Sequence, residues 1–234
     1  MILPNLRIEQ ELWKQGYRYV AGVDEVGRGA WAGPVVAAAV IFPPEVKIPQ
    51  GLRDSKLLTP KRREELNEKI KEIALGFAVG ECGSPIIEKK GIAIATQMAM
   101  RRALKKLSPE PDFSLIDYFT LKYIKKSTQK AVKKGDLHCA SIAAASIVAK
   151  VYRDNLLREL DDDKEFEVYQ FGKHKGYGTK FHQEAIRRYG VSSVHRASFV
   201  PKVLFSENSE QLGASEPRCI RESDKPDSSE FLTF

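Results

Sequence analysis

Apolar and polar positions fall along the chain in blocks that predict its elements. Residues 4–16 place Leu6, Ile8, Leu12 and Trp13 at helical spacing and predict a short amphipathic helix. An apolar run from Tyr19 then ends in two adjacent acids, Asp24 and Glu25, and a turn holding Gly27, Arg28, Gly29 and Gly33 leads past Pro34 into a second run at 35–41. Both runs have strand length, and a turn this short makes the two strands antiparallel. A proline-bearing connection over 43–58 reaches Asp54-Ser55-Lys56. Thr59 as cap and Pro60 in the first turn then open a helix with Leu66, Ile70 and Ile73 on one stripe. Residues 77–82 read as a third strand. A long helix is predicted from a Ser84-Pro85 cap to about Leu107, with Ile87, Ile94, Met98 and Leu104 inside it and the methionines as core filler.

Beyond Pro109 and Pro111, residues 113–119 form a compact apolar strand that contains Asp117. The stretch 121–135 interleaves Lys122, Lys125, Lys126, Lys130, Lys133 and Lys134 with Tyr123 and β-branched residues. It reads either as a twisted strand pair lining a phosphate groove or as a basic edge strand that discourages aggregation. Asp136 precedes a helix rich in alanine and serine over 140–160, whose small residues allow close approach to a sheet. A glycine-rich, basic and aromatic loop at 171–178 follows, then a helix over 179–190, and VHRASFVP closes the ordered part. Strands alternating with helices imply an α/β protein with a mixed central sheet flanked by helices.

Composition narrows the class. A chain of 234 residues, 42% hydrophobic, buries one sizeable core. The reading is one domain over 1–205 and an acidic, disordered C-terminal tail over 206–234. No apolar run reaches the roughly 20 residues that cross a bilayer. Cys82, Cys139 and Cys219 are odd in number and widely spaced, against both a disulfide framework and a structural zinc site. The expectation is a soluble, cytoplasmic monomer with no membrane partner. The tail holds seven acids against three bases, so the first 205 residues carry more than the whole net charge of +7. A basic body suits a polyanionic partner such as nucleic acid, or is simply a lysine-rich surface.

Carboxylates at the end of a core strand are strongly disfavoured unless a cation or hydrogen bonds offset them. Asp24, Glu25, Asp117 and Asp136 all lie at element ends. Four oxygen-bearing acids are the right supply for two hard divalent ions, Mg²⁺ or Mn²⁺, set about 4 Å apart around a phosphodiester. In a regular strand Asp24 and Glu25 point to opposite faces. Either the strand breaks at the glycine turn, or Glu25 acts through its backbone carbonyl or from an outer shell. Gly27-Arg28-Gly29-Ala30-Trp31-Ala32 also satisfies a relaxed dinucleotide fingerprint, but that motif requires a following helix, and here a strand follows. The loop with His174, Lys175 and Tyr177 either sets a stacking ring and two basic side chains near phosphate or is an ordinary surface turn, and Lys56 is a further phosphate contact or a solvated lysine.

Seven separated motifs, VDEVGRG, DSK at 54–56, LID ending at Asp117, KGD ending at Asp136, AASIVAKVYRD, HKGYGT and HRASF, together resemble ribonuclease HII, in order from about residue 18 to 201. The resemblance implies a ribonuclease H-like fold and a metal-dependent endonuclease. Its substrates would be the RNA strand of RNA/DNA hybrids and ribonucleotides embedded in duplex DNA. By matching motif, Asp24, Glu25, Asp117 and Asp136 resemble the catalytic, metal-holding acids. Gly27, Arg28 and Gly29 resemble the loop that reads the 2′-hydroxyl, and Tyr177 the tyrosine that stacks at the RNA/DNA junction. The mechanism then expected is a two-metal hydrolysis leaving 5′-phosphate and 3′-hydroxyl ends. The chain departs from the family pattern at Tyr118, where many relatives carry glycine, and at Leu137-His138-Cys139. There His138 stands where a lysine would meet phosphate. A non-catalytic nucleic-acid binder on the same fold is the competing class, and a nucleotide-binding oxidoreductase the third.

Overall fold

A computed structural model describes residues 3–206 of the chain. The expected tail therefore lies, apart from its first residue, outside the described residues. Five strands form one mixed sheet in the order β3-β2-β1-β4-β5: β1 (Val20–Val26), β2 (Val35–Ile41), β3 (Gly76–Cys82), β4 (Phe113–Asp117) and β5 (Gln129–Val132). β2 is antiparallel to both β1 and β3, while β4 is parallel to β1 and β5 parallel to β4.

The run at 35–41 is apolar throughout because both faces of β2 are covered. Val36, Ala38 and Val40 join a core under α2 (Pro60–Ile73) and α6 (Ala140–Glu159). Val35, Ala37, Ala39 and Ile41 join the opposite core under α3 (Ser84–Lys90) and α4 (Ile92–Lys106). The small residues of α6 sit directly on β1. A methyl group at Gly22 would collide with the backbone of Ser141, so this glycine sets how closely helix and strand approach. Glu9, buried in α1 (Arg7–Lys14), accepts hydrogen bonds from Ser141 N and Cys139 Sγ and so ties the N-terminal helix to the start of α6.

Several expected elements take a different form. The helix expected over 84–107 is two helices, because Gly91 at φ +79 ends one and begins the other. Its cap is Gly83 rather than Ser84, whose hydroxyl instead donates to Ser193 O at 3.1 Å. β4 stops at Asp117, since Tyr118 turns to φ +67. Of the two readings of the lysine-rich stretch the edge strand holds: it supplies one parallel edge strand, β5, and no strand pair. Within 171–178 the first residues form a helical turn, α7 (Phe171–His174). A turn of helix, α5 (Gly135–His138), carries Asp136, and α8 (Lys180–Tyr189) and α9 (Val203–Ser206) complete the described chain. The predicted Thr59 cap is present, its hydroxyl accepting from Arg62 N at 3.3 Å.

Candidate active site

Strand pairing alone brings the first two acids together. The last parallel pair between β1 and β4 is Val23 with Ile116, so Asp24 and Asp117 are the next residues on neighbouring strands that run the same way. Asp117 pairs with Val132 of β5, and the chain then turns through Lys134 at φ +53 to place Asp136 in α5 beside the same sheet end. The acids therefore gather outside the carboxyl ends of three parallel strands, where open α/β sheets place their ligand crevices. β1 does not break at the turn: its pairing with β2 runs on to Val26 opposite Val36. Asp24 faces α6, where the Ser146 hydroxyl hydrogen-bonds it, while Glu25 points to the other face and holds Arg28 Nη1 at 3.2 Å.

Burial is the largest influence on all four acids and raises the pKa of each above the ordinary carboxylate range. On Asp24 the charges of Glu25 and Asp117 add to it, against the Ser146 hydroxyl and the Glu25 N–H, which donates to Asp24 Oδ1 at 2.7 Å. For Glu25, Arg28 opposes burial and Asp117 reinforces it. Asp117 is partly relieved by Gly135 N, which donates to its Oδ1 at 2.7 Å, and by Lys56. Asp136 feels Asp54 and Asp117, with Lys56 opposing. Lys56 itself has its pKa raised: burial pulls it down, but the carboxylates of Asp54, Asp136, Asp24 and Asp117 outweigh that.

Among the described residues no three His, Cys, Asp or Glu side chains form a ready-made cage for one ion. The donor set nevertheless fits a hard divalent cation. Every donor is an oxygen, the mutual repulsion is of the kind a cation offsets, and Glu25 Oε2 is buried with no hydrogen-bond partner.

Two buried arginines, spent entirely on backbone carbonyls, shape the turn beyond β1. Arg153 of α6 donates from Nε to Pro34 O, from Nη1 to Lys175 O and from Nη2 to Ala32 O, at 2.9, 3.0 and 3.0 Å. Arg196 donates to the carbonyls of Gly27, Arg28 and Gly33 at 2.7–3.0 Å. Burial, and then the like charge of Arg153, pull Arg196 down to about 9. The same turn is laced to the 171–178 segment, because Trp31 N and Ala32 N both donate to Gly176 O, at 2.8 and 3.3 Å. Tyr177, exposed next to that carbonyl, lies over the Arg153 guanidinium at 5.8 Å.

Behind Tyr177 stands a buried histidine chain whose hydrogen-bond pattern assigns its tautomers. Ser192 N donates to His195 Nδ1 at 2.9 Å, which puts the His195 proton on Nε2, 3.0 Å from His182 Nε2. His182 then carries its proton on Nδ1 and donates to Tyr177 O at 3.0 Å. Both rings are neutral: burial drives His182 to about 3 and His195 to about 4.

Two side chains expected near phosphate turn inward instead. Lys175 Nζ donates to Gly172 O at 2.6 Å and lies 3.4 Å from Asp154 O, while His174 is buried, bonded through Nε2 to Tyr169 O and stacked on His182. His138 lines a cleft with Asn5, Arg7, Ile8, Glu11 and Lys130, on the α1 side. Conversely, Asp54 and Ser146 belong to the acid cluster although neither had been singled out as a site residue. Ser146 Oγ lies 3.0 Å from Ser55 Oγ, which joins the Asp54-Ser55-Lys56 turn to Asp24.

A mixed sheet covered on both faces, with acids meeting at its parallel strand ends, defines the ribonuclease H-like class. Ribonuclease H2 from Pyrococcus horikoshii OT3 matches it with a TM-score of 0.66 at 26% identity, over 82% of this chain and 99% of that one. Residues 21–202 match the family described as Ribonuclease HII. A ribonuclease HII of Desulfitobacterium hafniense is 51% identical over 196 residues, which is 84% of this chain and 74% of that protein. One from Dehalococcoides mccartyi is 48% identical over 202 residues, 86% of this chain and 94% of that protein. The chain belongs to the ribonuclease HII family, and its class of activity is that of a hydrolytic ribonuclease.

Proposed function

We propose that the protein is an endonuclease that cleaves the RNA strand of RNA/DNA hybrids and cuts at single ribonucleotides embedded in duplex DNA, leaving 5′-phosphate and 3′-hydroxyl ends. The observation that carries this reading is the gathering of Asp24, Glu25, Asp117 and Asp136 at the carboxyl ends of β1, β4 and β5, with one glutamate oxygen buried and unpartnered. These four acids would hold two divalent ions, Mg²⁺ or Mn²⁺. When bound, such ions lower the pKa of water and neutralise charge developing on the phosphodiester. Ser146 orients the Asp24 carboxylate, and the Gly135 N–H orients that of Asp117. Lys56, held in the field of the acids, supplies a positive charge for the scissile phosphate.

Gly27, Arg28 and Gly29 read the ribose. Arg196 occupies the inward carbonyls of Gly27 and Arg28, which fixes the turn so that its remaining backbone groups can face a 2′-hydroxyl. Tyr177 stacks against the sugar or base at the junction, its carbonyl anchored by His182. The enzyme works as a cytoplasmic monomer. The test is a duplex bearing one ribonucleotide, incubated with and without divalent metal. Wild type should cut it only with metal, and Asp24→Asn should lose cleavage by orders of magnitude while keeping hybrid affinity. Cleavage unaffected by Asp24→Asn, or by removal of metal, overturns the reading.

A further inference from the structure

The loop that leaves β4 directly after Asp117 contains two tyrosines in a backbone conformation that suits glycine. Tyr118 has φ +67 and is 68% exposed, and Tyr123 has φ +69 and is 89% exposed. A bulky side chain is disfavoured at such angles, and neither ring is buried to compensate. The conformation is firmly held. Tyr118 N donates to Val132 O at 3.0 Å and Phe119 N to Asp117 O at 2.8 Å. Gln129, buried in β5, accepts from Leu121 N at 2.7 Å and donates to Leu121 O and Ile124 O at 3.0 and 2.9 Å, closing the turn that displays Tyr123.

The surroundings are cationic. Between Asp117 and Asp136 the chain has six lysines and no acid. Lys122, Lys125 and Lys126 are exposed on this loop, and the Arg101 guanidinium of α4 stands 5.0 Å over the Tyr123 ring. Arg101 Nε is buried with no hydrogen-bond partner. Beside it a cleft of about 570 Å³ opens between α4 and the loop, floored by Met98 and Ile124 and edged by Arg101, Lys105 and Tyr123, with Glu110 the one acid among its lining residues.

We propose that this loop is a landing surface for single-stranded nucleic acid continuous with the substrate, with unpaired bases stacking on Tyr118 and Tyr123 and phosphates following Lys122, Lys125, Lys126 and Arg101. A duplex turns its base faces inward and offers base edges and sugars only within its grooves, so rings on this outer loop gain little stacking from it. An unpaired base offers a π face of any sequence. The inference rests on the hydrolase reading and adds the form of the substrate: a hybrid carrying a single-stranded arm.

Glycine fits both backbone angles, so Tyr118→Gly and Tyr123→Gly remove the rings without straining the fold, and thermal melts of both variants should match or exceed wild type. The assay is fluorescence anisotropy in chelator, with a blunt hybrid and the same hybrid extended by an oligo(dT) arm of about 12 nucleotides on either strand end. Wild type should bind an armed hybrid about tenfold or more tighter than the blunt one. The double glycine variant should bind both alike, with blunt-hybrid affinity unchanged. Equal wild-type affinity for blunt and armed hybrids, or arm preference retained by the double variant, overturns the proposal. So does a parallel loss on both ligands, which would mean a contact to the duplex. Because this readout involves no cleavage, failure of the hydrolase reading shows separately, as a metal-supplied wild type that does not cut the blunt hybrid.

Discussion

Gly27→Ala measures what the turn beyond β1 needs from its sequence. At φ +88 the new methyl would occupy a conformation that costs an L residue about 1–2 kcal/mol. It would also collide with Nε of Arg153. That side chain cannot swing aside freely, since it is fully buried and its three nitrogens donate to the carbonyls of Pro34, Lys175 and Ala32. Giving up even one charge-assisted bond costs roughly 1.5–3 kcal/mol. Together these effects give about 3–5 kcal/mol, a large share of the roughly 5–15 kcal/mol that holds a domain. Two residues on, Gly29 has no positive φ, and a methyl there meets nothing, so Gly29→Ala should stay within about 0.5 kcal/mol of wild type. Urea unfolding of the three proteins at a common m-value reads the difference. In melting temperature it corresponds to a fall of about 6–20 °C for Gly27→Ala. A Gly27→Ala protein within about 1 kcal/mol of wild type, or one indistinguishable from Gly29→Ala, would mean that the turn does not depend on a glycine at position 27.

The buried carboxylates and histidines pull stability in opposite directions with pH. Asp24 has its pKa raised by burial and then by Glu25 and Asp117, so its contribution is fully present below the unfolded value of about 4 and is lost as pH rises through the native one. In chelator Asp24→Asn should therefore melt above wild type at neutral pH, with the gap closing toward pH ~4; a variant that melts lower at neutral pH contradicts this. His182 and His195 are depressed to about 3 and about 4, so their contribution is present above pH ~6.5 and is lost as pH falls toward those values. His182→Asn keeps a donor near the Nδ1 position for Tyr177 O but does not titrate. Its stability should decline less than that of wild type between pH ~6.5 and ~4 in denaturant midpoints, and an equal decline removes the histidine chain as the cause.

Local signals were legible in the sequence and distant pairings were not. The two strands around the glycine turn, the Thr59 cap and the small-residue helix follow from neighbouring residues, and the structure places them as the pattern predicts. The adjacency of Asp24 and Asp117 depends on a parallel pairing between strands more than 80 residues apart along the chain, which no local period encodes. Their shared place at element ends grouped them as candidates, and the resemblance supported that grouping, but neither gave the pairing. Ser146 was hidden because a serine among alanines reads as close packing, which it also is. Arg153 and Arg196 carried no signal of their own, since hydropathy separates core from solvent but does not show that a guanidinium can bury itself against three carbonyls. Lys175 and His174 failed in the converse way: a basic, glycine-rich loop looks open to phosphate, yet both side chains bond to backbone inside it.

If acids remote in sequence meet to bind divalent cations, the protein should take up Mn²⁺ through Asp24, Asp117 and Asp136. Titrating the metal-free protein with Mn²⁺ and following free ion by electron paramagnetic resonance tests it most directly. Wild type should bind saturably, and binding should be lost or sharply weakened in Asp24→Asn, Asp117→Asn and Asp136→Asn, each still folded by circular dichroism. Binding of equal strength in wild type and all three variants, or no binding by wild type, would contradict it.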